Sequence, residues 1–263
     1  AGNNADIDFA RSSSALNTAE KQAGLQQFPF ALDTLAMAVS NTVASNAPAF
    51  LTPAQIVGIY DGSITNWSEV GGRPGAIAPK IPQAGSGTRS FFVGQLKAMN
   101  GGVDVALAAS VAEVQEHDDT DVKSDPNAIA PFSTARASLL GPTLRIEQGW
   151  KADRALYNVV RGTDLARADI QAVLGEDGFF CSTDARDLIE QAGFEQLATP
   201  ARGGVCGEAT QEPTTNFVVN EAVVTETALT APSAKPGSAT HVAAVSRRSP
   251  PDRTLSFYVR LAL

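Results

Sequence analysis

Capped helical stretches alternate with short apolar, β-type runs over the first 212 residues of this 263-residue chain. That alternation restricts the fold to α/β layers, because each element must bury one apolar face against the next. The helix starts are legible residue by residue. In Leu51-Thr52-Pro53-Ala54-Gln55-Ile56, Thr52 is an N-cap, Pro53 suits the first helical position and Gln55 completes a capping box. Ile56, Ile59 and Tyr60 form one apolar stripe, and Asp61-Gly62 stops the helix. Ser182 caps a second helix over 183–192, with Gly193 at its C′ position. The predicted strands between are Ile7–Ala10, Thr34–Val39, Ile77–Pro82, Asn127–Phe132 and Leu156–Val160. From about Thr214 the rhythm changes to short β-branched runs (214–219, 222–229, 240–245 and 254–259) separated by Pro, Gly and Ser. Charge shifts with it: the last 50 residues hold five Lys+Arg and three Asp+Glu, of 20 and 28 in all.

Several function classes are excluded early. Apolar runs such as Ala36–Val39 fall far short of the roughly 20 residues of a membrane span. A net charge of −8 is the wrong sign for wrapping a nucleic-acid backbone, so no nucleic-acid partner is expected. The start, Ala1-Gly2-Asn3-Asn4, has neither the basic nor the apolar region of a signal peptide; for an exported protein the leader has already gone. Two cysteines, Cys181 and Cys206, cannot build a four-ligand zinc site. An even pair 25 residues apart, beside Gly203-Gly204, fits a disulfide contributing about 3 kcal/mol, which favours export. The alternative is two unpaired thiols in a reducing compartment. No cofactor is expected, and neither a Ser-His-Asp set nor paired carboxylates can be assembled.

The stretch Ala84-Gly85-Ser86-Gly87-Thr88-Arg89-Ser90-Phe91-Phe92 carries the chemistry. It follows a strand and opens a helix with Phe92, Leu96 and Met99 at helical spacing. Gly85 and Gly87 admit close backbone approach, Ser86 and Thr88 offer hydroxyls, and the first helical N–H groups point outward. This is an anion cradle, with a plain capped glycine turn as the alternative. It lacks the Gly-Lys-Ser/Thr of a nucleotide P-loop and the first glycine of a nucleophile elbow. Arg11-Ser12-Ser13-Ser14 sets three hydroxyls beside a guanidinium at a strand end, although serine runs usually just cap and turn. Glu116-His117-Asp118-Asp119-Thr120-Asp121 lacks calcium-loop spacing and reads as a solvated acidic loop.

On these residues the run from Asp8 to about Phe132 resembles the periplasmic phosphate-binding proteins of ABC import systems, of type II periplasmic-binding-protein fold. Ile7–Leu16 is similar to the family's Val-Asp-Phe-Gly-x-Ser-Asp-x-Pro-Leu segment. Leu51–Trp67 is similar to its Leu-Thr…Ile-Phe-x-Gly-x-Ile-x-x-Trp segment, Gly85–Phe92 to its Ser-Gly-Thr loop, and Asn127–Phe132 to its Gly-Ala-Ile-Gly-Tyr strand. The stretch to about Gly207 looks like an actinobacterial-style branch, and the tail faintly resembles the opening strands of an Ig-like repeat. The resemblance implies two α/β lobes joined by two crossover strands, with ligand in the cleft. The lobes are expected at 1–35 plus 129–212 and at 36–128, followed by a β-rich tail over 213–263. Ser86, Gly87 and Thr88 carry over as anion contacts, as does Ser12 more weakly, and Ser13 joins the expected ligand set.

Departures matter equally. Pro82 and Ala84 stand where the family places an Arg and an Asp, and Ser13 replaces another Asp. Those carboxylates accept the proton of hydrogen phosphate. Without them, poor discrimination between phosphate and sulfate is expected unless Asp118, Asp119 or Asp121 reaches the cleft. Arg11 and Arg89 are the cations available to replace the missing arginine. The family's first strand has no room before Asp8. The expected function is that of a non-enzymatic, extracellular or cell-surface solute-binding protein for a small oxyanion, phosphate first, with an ABC transporter membrane component as partner. A surface or adhesion protein using the fold as scaffold is the alternative, and a secreted phosphate-ester hydrolase is disfavoured for want of a base or metal cluster.

Overall fold

The computed structural model describes residues 7–221. Its elements run β1 (Ala10–Ser12), α1 (Thr18–Gln22), β2 (Leu25–Ser40), α2 (Pro53–Asp61), β3 (Ala78–Pro82), α3 (Gly87–Met99), β4 (Ala112–Val114), α4 (Thr120–Lys123), β5 (Ala128–Ser133), α5 (Thr134–Leu139), β6 (Leu144–Arg161), α6 (Ala168–Leu174), α7 (Thr183–Gln191) and β7 (Glu195–Gln196). Seven strands form one mixed sheet of order β1-β6-β2-β5-β3-β4, with β7 added to β2. The predicted caps are present. Thr52 and Gln55 form the capping box of α2, Ser182 caps α7, and Gly193 follows it at φ +85°.

Two long antiparallel strands, β2 and β6, organise everything else. β2 is buried on both faces from Phe28 to Asp33 and again from Leu35 to Ser40, the near-continuous apolar run of a strand covered on both sides. Its second half, with Leu35, Met37 and Val39, packs on Ile56, Ile59 and Tyr60 of α2 and Phe92 and Leu96 of α3. Its first half, with Phe30, Ala31 and Leu32, packs on Ala155–Tyr157 of β6, Ile189 of α7 and the two cysteines. The apolar cores therefore separate near residues 33–34 on β2 and 153–154 on β6, and two α/β lobes share these strands. Ile129, Ala130 and Phe132 of β5 pack on the 35–152 side. On this packing we propose 7–33 with 154–221, and 34–153, as the lobes, where the sequence reading divides them at 35/36 and 128/129.

Other differences have local causes. β1 lies three residues later than the Ile7–Ala10 run predicts, because its partner on β6 sets the register at Ala10↔Val159. β6 is 18 residues long where only 156–160 is predicted, since its first half is polar on alternate positions and is held by β2. Residues 214–219 form no strand; Val219 makes a single bridge to Leu197, and Thr214 N–H donates to Tyr157 Oη at 3.1 Å. The runs at 222–229, 240–245 and 254–259, and so the Ig-like reading, lie outside the described residues. Among the described residues no helix is long and apolar enough to cross a membrane.

Cys181 and Cys206 form the disulfide, both buried in the core beneath α7. Its reduction should lower stability by about 3 kcal/mol through loop-closure entropy. Melting with and without reductant measures this. Thiol titration of the unfolded, non-reduced protein should find none, and two titratable thiols would refute the bridge.

Candidate functional site

The chain leaves β3 through Gly85, whose φ of +82° is one that glycine adopts without strain. Ser86 then caps α3, its Oγ accepting from Arg89 N–H at 3.1 Å. The amides of Gly87 and Thr88, first in the helix, have no acceptor among the described residues, and nor does the Thr88 hydroxyl. Across from them lies the loop after β1. A Cβ built on Gly87 would collide with Ser13 Oγ and stand 3.2 Å from both the amide nitrogen and carbonyl carbon of Ser13. The two lobes thus meet here at a spacing only glycine permits, with two open amides and two open hydroxyls (Ser13, Thr88) at the seam.

The remaining expected contacts are already engaged. Ser86 has one proton, and it is donated to Glu116. Ser12 donates to the Ser14 carbonyl at 2.7 Å in a local turn. In this conformation the proton of each of these two hydroxyls is already donated. Arg89 pairs with Glu113 and donates to the Pro82 carbonyl at 3.1 Å. The hydrogen bond from Arg89 to Glu113 holds the Glu113 carboxyl below the usual carboxylate range. Arg11 is exposed on the edge strand β1 and makes no hydrogen bond or ion pair among the described residues. Neither expected cation is joined to the seam.

Several residues at the seam escape sequence reasoning. Asp33 of β2 and Arg154 of β6 stand directly opposite in the strand register, 2% and 5% exposed, where the two apolar cores part. Arg154 Nε and Nη2 donate to Asp33 Oδ2 at 3.0 and 2.8 Å, and Ser133 Oγ donates to Oδ1 at 2.6 Å. Arg154 Nη1 lies 3.4 Å from the Ser13 carbonyl oxygen, and its guanidinium sits 5.6 Å from the Phe91 ring centroid. The lone charge in the apolar run Phe28–Val39 is the one local signal for Asp33; nothing local marks Arg154. The acidic loop divides differently from expectation too. Asp118 accepts from Thr120 N–H at 2.9 Å, and Asp119 from Lys123 at 2.8 Å and Thr143 at 2.5 Å. Asp121 is exposed. Glu116 is the member that reaches the helix cap, so a carboxylate stands beside the cradle after all.

Two concavities, about 430 and 250 Å³, lie around residues 171–178 and 199–209. Both are bordered by Glu176 and Asp177, which suits them poorly to an anion.

Known proteins resemble the chain in fold. A sequence model described as a PBP superfamily domain matches residues 1–178. No curated protein sequence matches. Among solved structures, a Clostridium perfringens protein assigned as a phosphate ABC transporter substrate-binding protein, with phosphate bound, aligns at TM-score 0.60 and 23% identity, over 73% of this chain and 80% of that one. An ABC-type phosphate transport receptor from Vibrio cholerae aligns at TM-score 0.53 and 27% identity, over 72% and 79%.

Proposed function

Since the chain belongs to the PBP superfamily, we propose that it is an exported solute-binding protein that holds a small oxyanion, phosphate first, in its interlobe cleft and delivers it to an ABC importer. One observation carries the reading: Gly87, whose amide and that of Thr88 are unbonded at the N-terminus of a 13-residue helix, is pressed against Ser13 of the opposite lobe. Two N–H groups and the positive end of a helix dipole favour an anion there. The hydroxyls of Thr88 and Ser13 add a donor from each lobe, so binding and lobe contact are one event. The likeness to the Vibrio cholerae phosphate receptor supports phosphate as the ligand class. Binding without chemistry is the reading, and the scaffold alternative draws no support from fold neighbours that are solute-binding proteins.

Glu116 changes the expected selectivity. A carboxylate beside the cradle repels a fully deprotonated anion and accepts a hydrogen bond from one that still carries a proton. Calorimetric titration with phosphate, arsenate and sulfate should give 1:1 binding for the first two and at least tenfold weaker sulfate binding. Glu116→Gln should narrow that gap. Equal affinity for all three in the wild type would sink the role of Glu116, and no binding of any would sink the oxyanion reading.

A further inference from the structure

We infer that Arg154 is the cation that contacts the bound oxyanion and that Asp33 is the positioning residue that aims its guanidinium; this rests on the oxyanion reading above. Arg154 is buried where the two cores part, a costly place for a charge without a task or a partner. Asp33 supplies the partner and takes Nε–H and one Nη2–H, while one Nη1–H points to the Ser13 carbonyl. A guanidinium has five N–H donors, so one on Nη1 and one on Nη2 are left without an acceptor among the described residues.

The location of those donors follows from two independent contacts. Ser13, whose carbonyl Arg154 addresses, is the residue pressed against Gly87. Phe91, under the guanidinium, lies four residues after Gly87 and so on the same face of α3. Both contacts bring the guanidinium to the first turn of α3, beside the open amides of Gly87 and Thr88. The carboxylate of Asp33 accepts two hydrogen bonds from Arg154 and one from Ser133 Oγ–H, of the roughly four it can take, and so holds the fork in place. An arginine of β6 thereby does what neither Arg11 nor Arg89 is placed to do. Because it sits on β6, which both lobes share, it also ties anion charge to the strand along which the lobes meet.

The test is calorimetric titration of the full chain with inorganic phosphate. Asp33→Asn, which keeps an acceptor oxygen but loosens the aim of the guanidinium, should bind about tenfold more weakly than wild type, and wild-type affinity in it overturns the positioning role. Asp33→Asn/Arg154→Gln removes both buried charges together, which spares the fold an unpaired ion, and should bind at least fiftyfold more weakly than Asp33→Asn. Binding by the double variant within threefold of Asp33→Asn overturns the assignment. Should the double variant lack a cooperative melt, the wild-type Arg154 Nε–H resonance decides: it should shift with the same half-saturation as the calorimetric isotherm, and an unmoved resonance overturns the assignment. A wild-type chain that binds neither phosphate, arsenate nor sulfate overturns the oxyanion reading, and the role of Arg154 falls with it.

Discussion

Gly87→Ala should weaken oxyanion binding at least a hundredfold while leaving the protein folded. Alanine is the better helix former, so the first turn of α3 loses nothing in its own lobe. The added methyl, however, lies on Ser13 Oγ and within 3.2 Å of Ser13 backbone atoms, which cannot rotate away. The lobes are held apart, and the ligand loses the contacts supplied from the far side. Hydrogen bonds to a charged group contribute roughly 1.5–3 kcal/mol each, and 1.4 kcal/mol is tenfold, so two lost contacts exceed a hundredfold. Calorimetry with phosphate reads the loss, and a melting curve close to that of wild type separates it from unfolding. Adding Ser13→Gly removes the clashing hydroxyl together with that hydroxyl's own contact, so the double variant should lose clearly less than the two single losses combined, a coupling that only neighbouring residues produce. Wild-type affinity in Gly87→Ala would mean that the lobes do not close on this residue when ligand is bound.

Asp33→Ala should be among the most destabilising single substitutions in the chain. It strands the Arg154 guanidinium, 5% exposed, without its carboxylate and removes the acceptor of the Ser133 hydroxyl. Breaking a buried ion pair from one side costs about 3–5 kcal/mol, more than a surface pair contributes when intact. For a chain of this length that lowers the melting temperature by about 10–15 °C. The solvent-facing pair Lys97–Asp104, both partners about half exposed or more, is the comparison: Asp104→Ala should change it by no more than about 2 °C. Thermal melts of the three proteins side by side decide the matter, and an Asp33→Ala melt near that of Asp104→Ala would show the pair to be dispensable.

Local chemistry was legible wherever neighbours in the chain decide the outcome. A cap needs only a side chain and an amide three residues on, so Thr52, Ser86 and Ser182 announce their helices, and Gly193 announces where one ends. The glycine turn that opens α3 was readable for the same reason, as was the disulfide from an even pair of cysteines. A single apolar run was enough for β3, β5 and the second half of β2, because burial on both faces needs no alternation.

The tertiary structure alone decided what depends on partners far apart in the chain. Asp33 and Arg154 are 121 residues apart and meet because the β2–β6 register sets them opposite each other; no window of sequence contains both. The length of β6 and the shift of β1 come from the same pairing. Which hydroxyl stays free is likewise settled in space. Ser86 spends its one proton on Glu116, 30 residues away, whereas Ser13 and Thr88 keep theirs. Residue type and local spacing thus determined the helix caps and the glycine turn before α3. The direction of each donor was decided by packing, because a hydroxyl or guanidinium can serve only the acceptors that the folded chain brings within about 3 Å.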